Sequence, residues 1–436
     1  MIATIDLRGT AHSAAELSGL MPRARVDVSA ATEAAAELID DVRERASAAL
    51  LDQAERLDGV RPGALRVPER DLRRAVEQLA PAVREALEEA IRRVRAVSTA
   101  QLPVPITTGL GDGALVQQRW QPIRRVGLYV PGGKAVYPSS VIMNVVPAQV
   151  AGVASVALAS PPQKDFGGGV HPTVLAAAGL LGIDEVYAMG GAGAIGAFAW
   201  GVADLGLEPV DLVTGPGNIW VAAAKRLVRG QVGIDAEAGP TEILIIADED
   251  ADPVLVAADL VSQAEHDELA AAVLVTDSAD FATRARAELG LLAESAHHGT
   301  RVRTSLGGEQ SAIVIVDSLA SAAAFSNAYG PEHLELQVRD PDALLASIDS
   351  AGAIFLGEHS PVSLGDYLAG SNHVLPTGGQ ARFSSGLGVA TFLRPQQVIR
   401  YDRGGLRGVA EHITALANAE DLPAHAAAVT ARFSTE

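Results

Sequence analysis

A chain of 436 residues, 48% of them hydrophobic, is long enough for roughly two to four domains with ordinary cores. Its net charge of -19 and the lack of any basic run exclude a surface built for phosphate backbones or anionic lipid, so neither nucleic acid nor a membrane is an expected partner. With no cysteine, the chain can form no disulfide, no thiolate metal site and no thiohemiacetal intermediate.

Residues 1 to 30 read as an irregular arm without the basic and apolar blocks of a signal peptide, which predicts a cytoplasmic protein. Aromatic residues are only 4%, so the cores are built from Ala, Val, Leu and Ile, a mix that suits helices packed on parallel sheets. Thr32 to about Leu57 has helical apolar spacing. Pro68 to Gln101 reads as one or two amphipathic helices broken near Pro81, with Glu and Arg outward.

The pattern changes at Pro122. Ile123 to Val130 reads as a strand running into PGGKAVYPSS, where Pro131, Gly132 and Gly133 make a turn and Ser139 or Ser140 can cap the following helix. Ser155 to Ala159 and a helix from Thr173 to Leu181 form a second βα unit. In a third, strand EVYAM precedes Gly191, Gly193 and Gly196, which spell G-x-G-x-x-G, with Asp211 as a loose match to the acidic ribose partner of such motifs. Val186 to Ala203 carries no charge, but its Gly and Ala content argues against a membrane span. A fourth unit passes from strand DLVT through Gly215-Pro216-Gly217-Asn218 into a helix.

A second α/β block follows, with strands at Ile243 to Ala247, Ala272 to Thr276, Ala312 to Val316, Leu334 to Val338 and Ala353 to Leu356. Asp252 can cap and Pro253 can open a helix running to about His266. Gln263 and His266, three apart, then share a face and could hold one cation, or could simply be solvated polar residues near a helix end. Glu332 and His333 sit at a strand mouth, where a carboxylate and an imidazole can divide base work, or form a plain loop pair. Asp366 is either a charge-balancing ligand or a turn residue, and His373 follows in the same loop. Gly404 to Arg432 is an Ala-rich helical arm, and His425 reads as a surface residue with Glu420 five before it.

Taken together, VGLYVPGGKAVYPSSVIMN, PPQKDFGG, VTGPGNIWV, AGPTE, SQAEH, GPEHLEL, GDYLAGSNHVLPT, SSGL and LPAHAAAVT make the chain resemble the histidinol dehydrogenase family over nearly its whole length. The resemblance implies two Rossmann-like lobes of the aldehyde-dehydrogenase-like kind. Residues 1–121 would be an N-terminal arm and helical region packing on the second lobe. Residues 122–240 would form one lobe, 241–380 the second, with the metal and catalytic residues, and 381–436 a swapped dimerisation arm.

It also implies NAD-dependent oxidation of L-histidinol through L-histidinaldehyde to L-histidine in a homodimer with one zinc per subunit. By resemblance, Gln263, His266, Asp366 and the other subunit's copy of His425 hold zinc. Glu332 and His333 are catalytic; Thr241, His373 and Glu420 join them and the four ligands around the substrate. Tyr129, Gly193 and Asn218 match cofactor positions. At Gly193 the family commonly carries Gln, so the resemblance implies weaker or differently posed NAD without loss of activity, and Gly193→Gln should change the Michaelis constant for NAD.

Overall fold

A computed structural model describes residues 2–10, 12–24, 28–132, 136–237 and 239–433. The first lobe is a five-stranded parallel sheet, in the order Val186–Ala188, Ser155–Ser160, Arg125–Tyr129, Leu212–Thr214, Gly233–Ile234. The second lobe is a six-stranded parallel sheet, ordered Ala3–Asp6, Ala312–Ile315, Ala271–Thr276, Glu242–Ala247, His333–Gln337, Ala353–Leu356. Its central strands are buried end to end, as expected where helices cover both faces of a parallel sheet. The predicted pair of α/β lobes is therefore present.

The N-terminal region departs from expectation. Among the described residues of 1 to 30 there is regular structure: Ala3–Asp6 completes the second sheet beside Ala312–Ile315, and Ser13 caps a helix Ala14–Leu20. The helices that follow pack on the first lobe, not the second. In Val28–Arg45, Ala31, Ala35 and Ile39 join the core of the Gly191–Trp200 helix. Glu69–Glu77 and Pro81–Ala100 contribute Leu72, Leu87 and Val94 to the core on the opposite face.

The C-terminal region begins with a strand. Leu393–Tyr401 pairs antiparallel with Ala114–Pro122, which also pairs with Ile106–Gly111. Helices Arg403–Ala419 and Pro423–Thr430 come after it. In these two helices only Ala417 and Ala426 are buried, and Leu416 is 65% exposed. No helix among the described residues is long and apolar enough to cross a membrane.

Candidate active site

A cleft of ≈ 740 Å³ separates the lobes. From the first lobe it receives Pro131, Gly132 and Asn218, on loops that leave the carboxyl ends of Arg125–Tyr129 and Leu212–Thr214. Strand order reverses between these two neighbours, and such a point at the carboxyl ends of an open α/β sheet is where nucleotides bind. Gly133 of the predicted turn lies outside the described residues. The second lobe meets the cleft with the opposite ends of its strands: Thr241, Glu332 and His333 stand where Glu242–Ala247 and His333–Gln337 begin.

Glu332 and His333 are held by the start of the neighbouring strand. The Glu332 carboxylate accepts from the Thr241 hydroxyl (2.6 Å) and the Glu242 N–H (2.8 Å). His333 Nδ1 lies 3.0 Å from the Glu242 carbonyl, which can only accept, so Nδ1 carries the proton and Nε2 keeps its lone pair. Burial pushes the Glu332 carboxyl up to about 8, against the lowering effect of the Thr241 and Glu242 hydrogen bonds. Burial also lowers His333, with Asp366 opposing, so its imidazole is neutral near pH 7.

Of the four sequence-predicted metal ligands, His266 and Asp366 face each other, and Gln263 stands beside Thr241. Asp252 caps the helix Pro253–Ala264 through Val254 N–H, and a tighter turn, His266 N–H to Gln263 carbonyl (3.2 Å), carries the path on to His266. Gln263 is buried, its Nε2 donating to Thr241 Oγ1 (2.9 Å), while its Oε1 has no hydrogen-bond partner among the described residues. His266 Nε2 and Asp366 Oδ2 are 4.0 Å apart. Ligand atoms of a tetrahedral zinc stand about 3.4 Å from one another, so a small adjustment would let both reach one ion. An orphaned amide oxygen, an imidazole that burial keeps neutral and a carboxylate fit zinc. No group of three or more His, Cys, Asp or Glu among the described residues could hold a metal alone.

His373 closes the same wall. Its Nδ1 donates to the Asp366 carbonyl (2.9 Å), and Ser140 Oγ lies 3.1 Å from its Nε2. Glu420 and His425 do not line the cleft of their own chain; His425 is exposed on a helix packed against Arg403–Ala419. Sequence reasoning missed Ser140, Glu242 and Arg23. The Glu242 carboxylate, beneath the cleft, accepts from Arg23 Nε (2.7 Å) and is pushed up to about 7 by burial, which the Arg23 charge offsets in part. The motif AGPTE carried a signal for Glu242; nothing marked Arg23, which arrives from the far end of the chain.

Of the cofactor positions only Asn218 lines the cleft, with its side chain capping helix Ile219–Val228 through Trp220 and Val221 N–H. Tyr129 is buried and its hydroxyl accepts from Gly191 N–H (3.2 Å). The G-x-G-x-x-G stretch follows the edge strand Val186–Ala188, away from the reversal point. Gly193 faces inward: a Cβ there would stand 2.1 Å from Gln53 Oε1. A glutamine at this position would therefore have to move the end of the Gln53 side chain aside. Asp211 as a ribose partner is corrected; its Oδ2 accepts from Arg125 N–H at the amino end of the sheet, remote from the nucleotide crevice.

The chain is similar to proteins of one family. Residues 21–433 match the family model described as histidinol dehydrogenase. A protein of Leifsonia xyli named histidinol dehydrogenase is 68% identical over 99% of this chain and 99% of its own. One of that name from Thermobifida fusca is 57% identical, covering 100% of this chain and 98% of its own. The crystal structure of histidinol dehydrogenase from Elizabethkingia anophelis superposes with a TM-score of 0.92 at 31% identity, covering 100% and 98% of the two chains.

Proposed function

The chain belongs to the histidinol dehydrogenase family, and on that premise we propose how its cleft oxidises L-histidinol through L-histidinaldehyde to L-histidine in histidine biosynthesis. The observation that carries the mechanism is His333, its Nδ1 pinned on the Glu242 carbonyl and 3.5 Å from the buried Glu332 carboxyl, which leaves the Nε2 lone pair for the substrate. Two NAD molecules, bound in turn along the first lobe's crevice beside Asn218, would each accept one hydride.

His333 Nε2 takes the hydroxyl proton of histidinol as the carbinol hydride leaves, which yields the aldehyde. Glu332, in its ionised form, takes a proton from the water that adds to the aldehyde carbonyl while protonated His333 returns its Nε2 proton to the carbonyl oxygen, giving the gem-diol and leaving His333 neutral again. His333 then takes a diol proton as the second hydride leaves, and the product is the carboxylic acid. No cysteine adduct is needed, and none is possible in this chain.

Gln263, His266 and Asp366, with His425 of a second subunit, would hold zinc, and Thr241 fixes Gln263 through its hydroxyl. Bound zinc supplies a point charge that grips the substrate's imidazole and amine. His373 and the second subunit's Glu420 would border that substrate. The exposed C-terminal helices, with little of their surface buried on their own chain, support a homodimer in which each arm completes the other's site.

The test mixes two inactive variants, His425→Asn and Glu332→Gln, under conditions that allow subunit exchange. In a hybrid dimer one site receives an intact Glu332 from one subunit and an intact His425 from the other. About a quarter of wild-type NADH formation with histidinol and zinc is then expected after random exchange. No recovery despite demonstrated exchange would mean that His425 serves its own chain.

A further inference from the structure

Behind the cleft lies a carboxyl pair that the mechanism does not use. Glu335 is two residues after His333 on one strand, so both side chains project from the same face of the sheet. Glu335 is fully buried in the layer whose apolar members include Ile245, Leu260 and Phe355. There it hydrogen-bonds Asp259, which stands one helical turn before Gln263. Its Oε1 accepts from Val362 N–H (3.0 Å), the start of the helix Val362–Tyr367 that presents Asp366. That helix has no side-chain cap from its own N-cap residue, Pro361, so Glu335 satisfies one of its unpaired N–H groups from across the fold.

We propose that Glu335 is a positioning residue: its carboxyl ties the strand of His333, the helix of Gln263 and the helix of Asp366 into one arrangement, an inference that rests on the metal reading above. Two carboxyl groups share a hydrogen bond only if one keeps its proton. Burial, reinforced by the Asp259 charge, raises Glu335 well above the usual carboxyl range, which places the proton there. Protonated Glu335 therefore donates to Asp259 and accepts from Val362. Stability alone does not call for such a pair, since well-packed apolar replacements of buried ionic groups are often neutral or stabilising. What an apolar side chain cannot supply is the three-way register.

Glu335→Gln and Glu335→Leu separate these roles in the full-length protein. Glutamine keeps a donor for Asp259 and an acceptor for Val362 N–H, and should hold zinc against a chelator, and turn over histidinol, within about threefold of wild type. Leucine, which strands the Val362 N–H, should lower the melting temperature but leave the protein folded at assay temperature, and should weaken zinc roughly tenfold to hundredfold, with a comparable fall in kcat. A folded Glu335→Leu with wild-type zinc affinity and kcat, or equal damage in both variants, overturns the proposal. If the leucine variant does not fold, Asp259→Ala at its half-buried helix position decides: weaker zinc retention supports the tether and unchanged retention overturns it. Wild-type protein that retains no zinc would defeat the metal reading separately. The tether would then be judged on kcat, lost in Glu335→Leu and kept in Glu335→Gln if it holds, and unchanged in Glu335→Leu if it does not.

Discussion

Glu332 has to be ionised to activate water, yet burial holds its carboxyl up to about 8. A carboxyl raised in this way binds its proton more tightly in the folded than in the unfolded state. Its neutral form favours the fold at low pH, and that contribution is lost as pH rises through about 8. Activity runs the other way: kcat/KM for histidinaldehyde should climb with pH along a limb at or below about 8, since any cation held at Gln263, His266 and Asp366 lowers the value further. Thr241→Val, which removes a hydrogen bond to the ionised form, should move the limb upward by about one pH unit or more. A limb that stays in place would show that another group controls it. At Gly193, a glutamine must displace Gln53, whose Nε2 is anchored on the Leu38 carbonyl (3.0 Å). Gly193→Gln alone should destabilise the fold by about 1 to 3 kcal/mol. Adding Gln53→Ala should recover much of it in thermal unfolding, a non-additivity expected of residues that compete for one space.

Among the elements, the loop Gly215 to Asn218 links core to cofactor crevice. Gly215 has φ +112°, and a Cβ there would lie 2.0 Å from the Tyr129 carbonyl oxygen, so only glycine fits. The loop is also clamped from below, since Lys225 Nζ donates to the Gly215 carbonyl (3.0 Å) and Asp235 accepts from Gly215 N–H (2.8 Å). Gly215→Ala should add about 1 to 3 kcal/mol of strain and raise KM for NAD roughly tenfold, with a smaller change in KM for histidinol. Steady-state kinetics with each substrate varied in turn would check that asymmetry. In the second lobe, the helix Pro253–Ala264 depends on Asp252 at its start and delivers Gln263 at its end. It carries both Asp259 of the proposed tether and Gln263.

At the scale of the molecule, the lobes meet head to tail: carboxyl ends of the first sheet face amino ends of the second, and the cleft lies between. The C-terminal helices add little to either core. A chain lacking residues 403–436 should keep both lobes folded but scatter light as a monomer and retain little zinc, because one ligand position would be gone. A truncated protein that remains dimeric would place the main subunit contact elsewhere.

Much of this was legible from the sequence. Caps, proline starts and apolar periodicity located the helix of Gln263, the strand of His333 and most βα units, because those signals act within a few residues. The short motifs held the side chains that line the cleft, among them Thr241, His266, Glu332, His333, Asp366 and His373. What the sequence could not decide was which surfaces those elements would share. The N-terminal helices went to the first lobe, the first residues closed the second sheet, Gln53 filled the space at Gly193, and Arg23 crossed the chain to Glu242. Each is a contact between residues far apart in sequence, settled by the packing of complete layers, and local propensity carries no record of it.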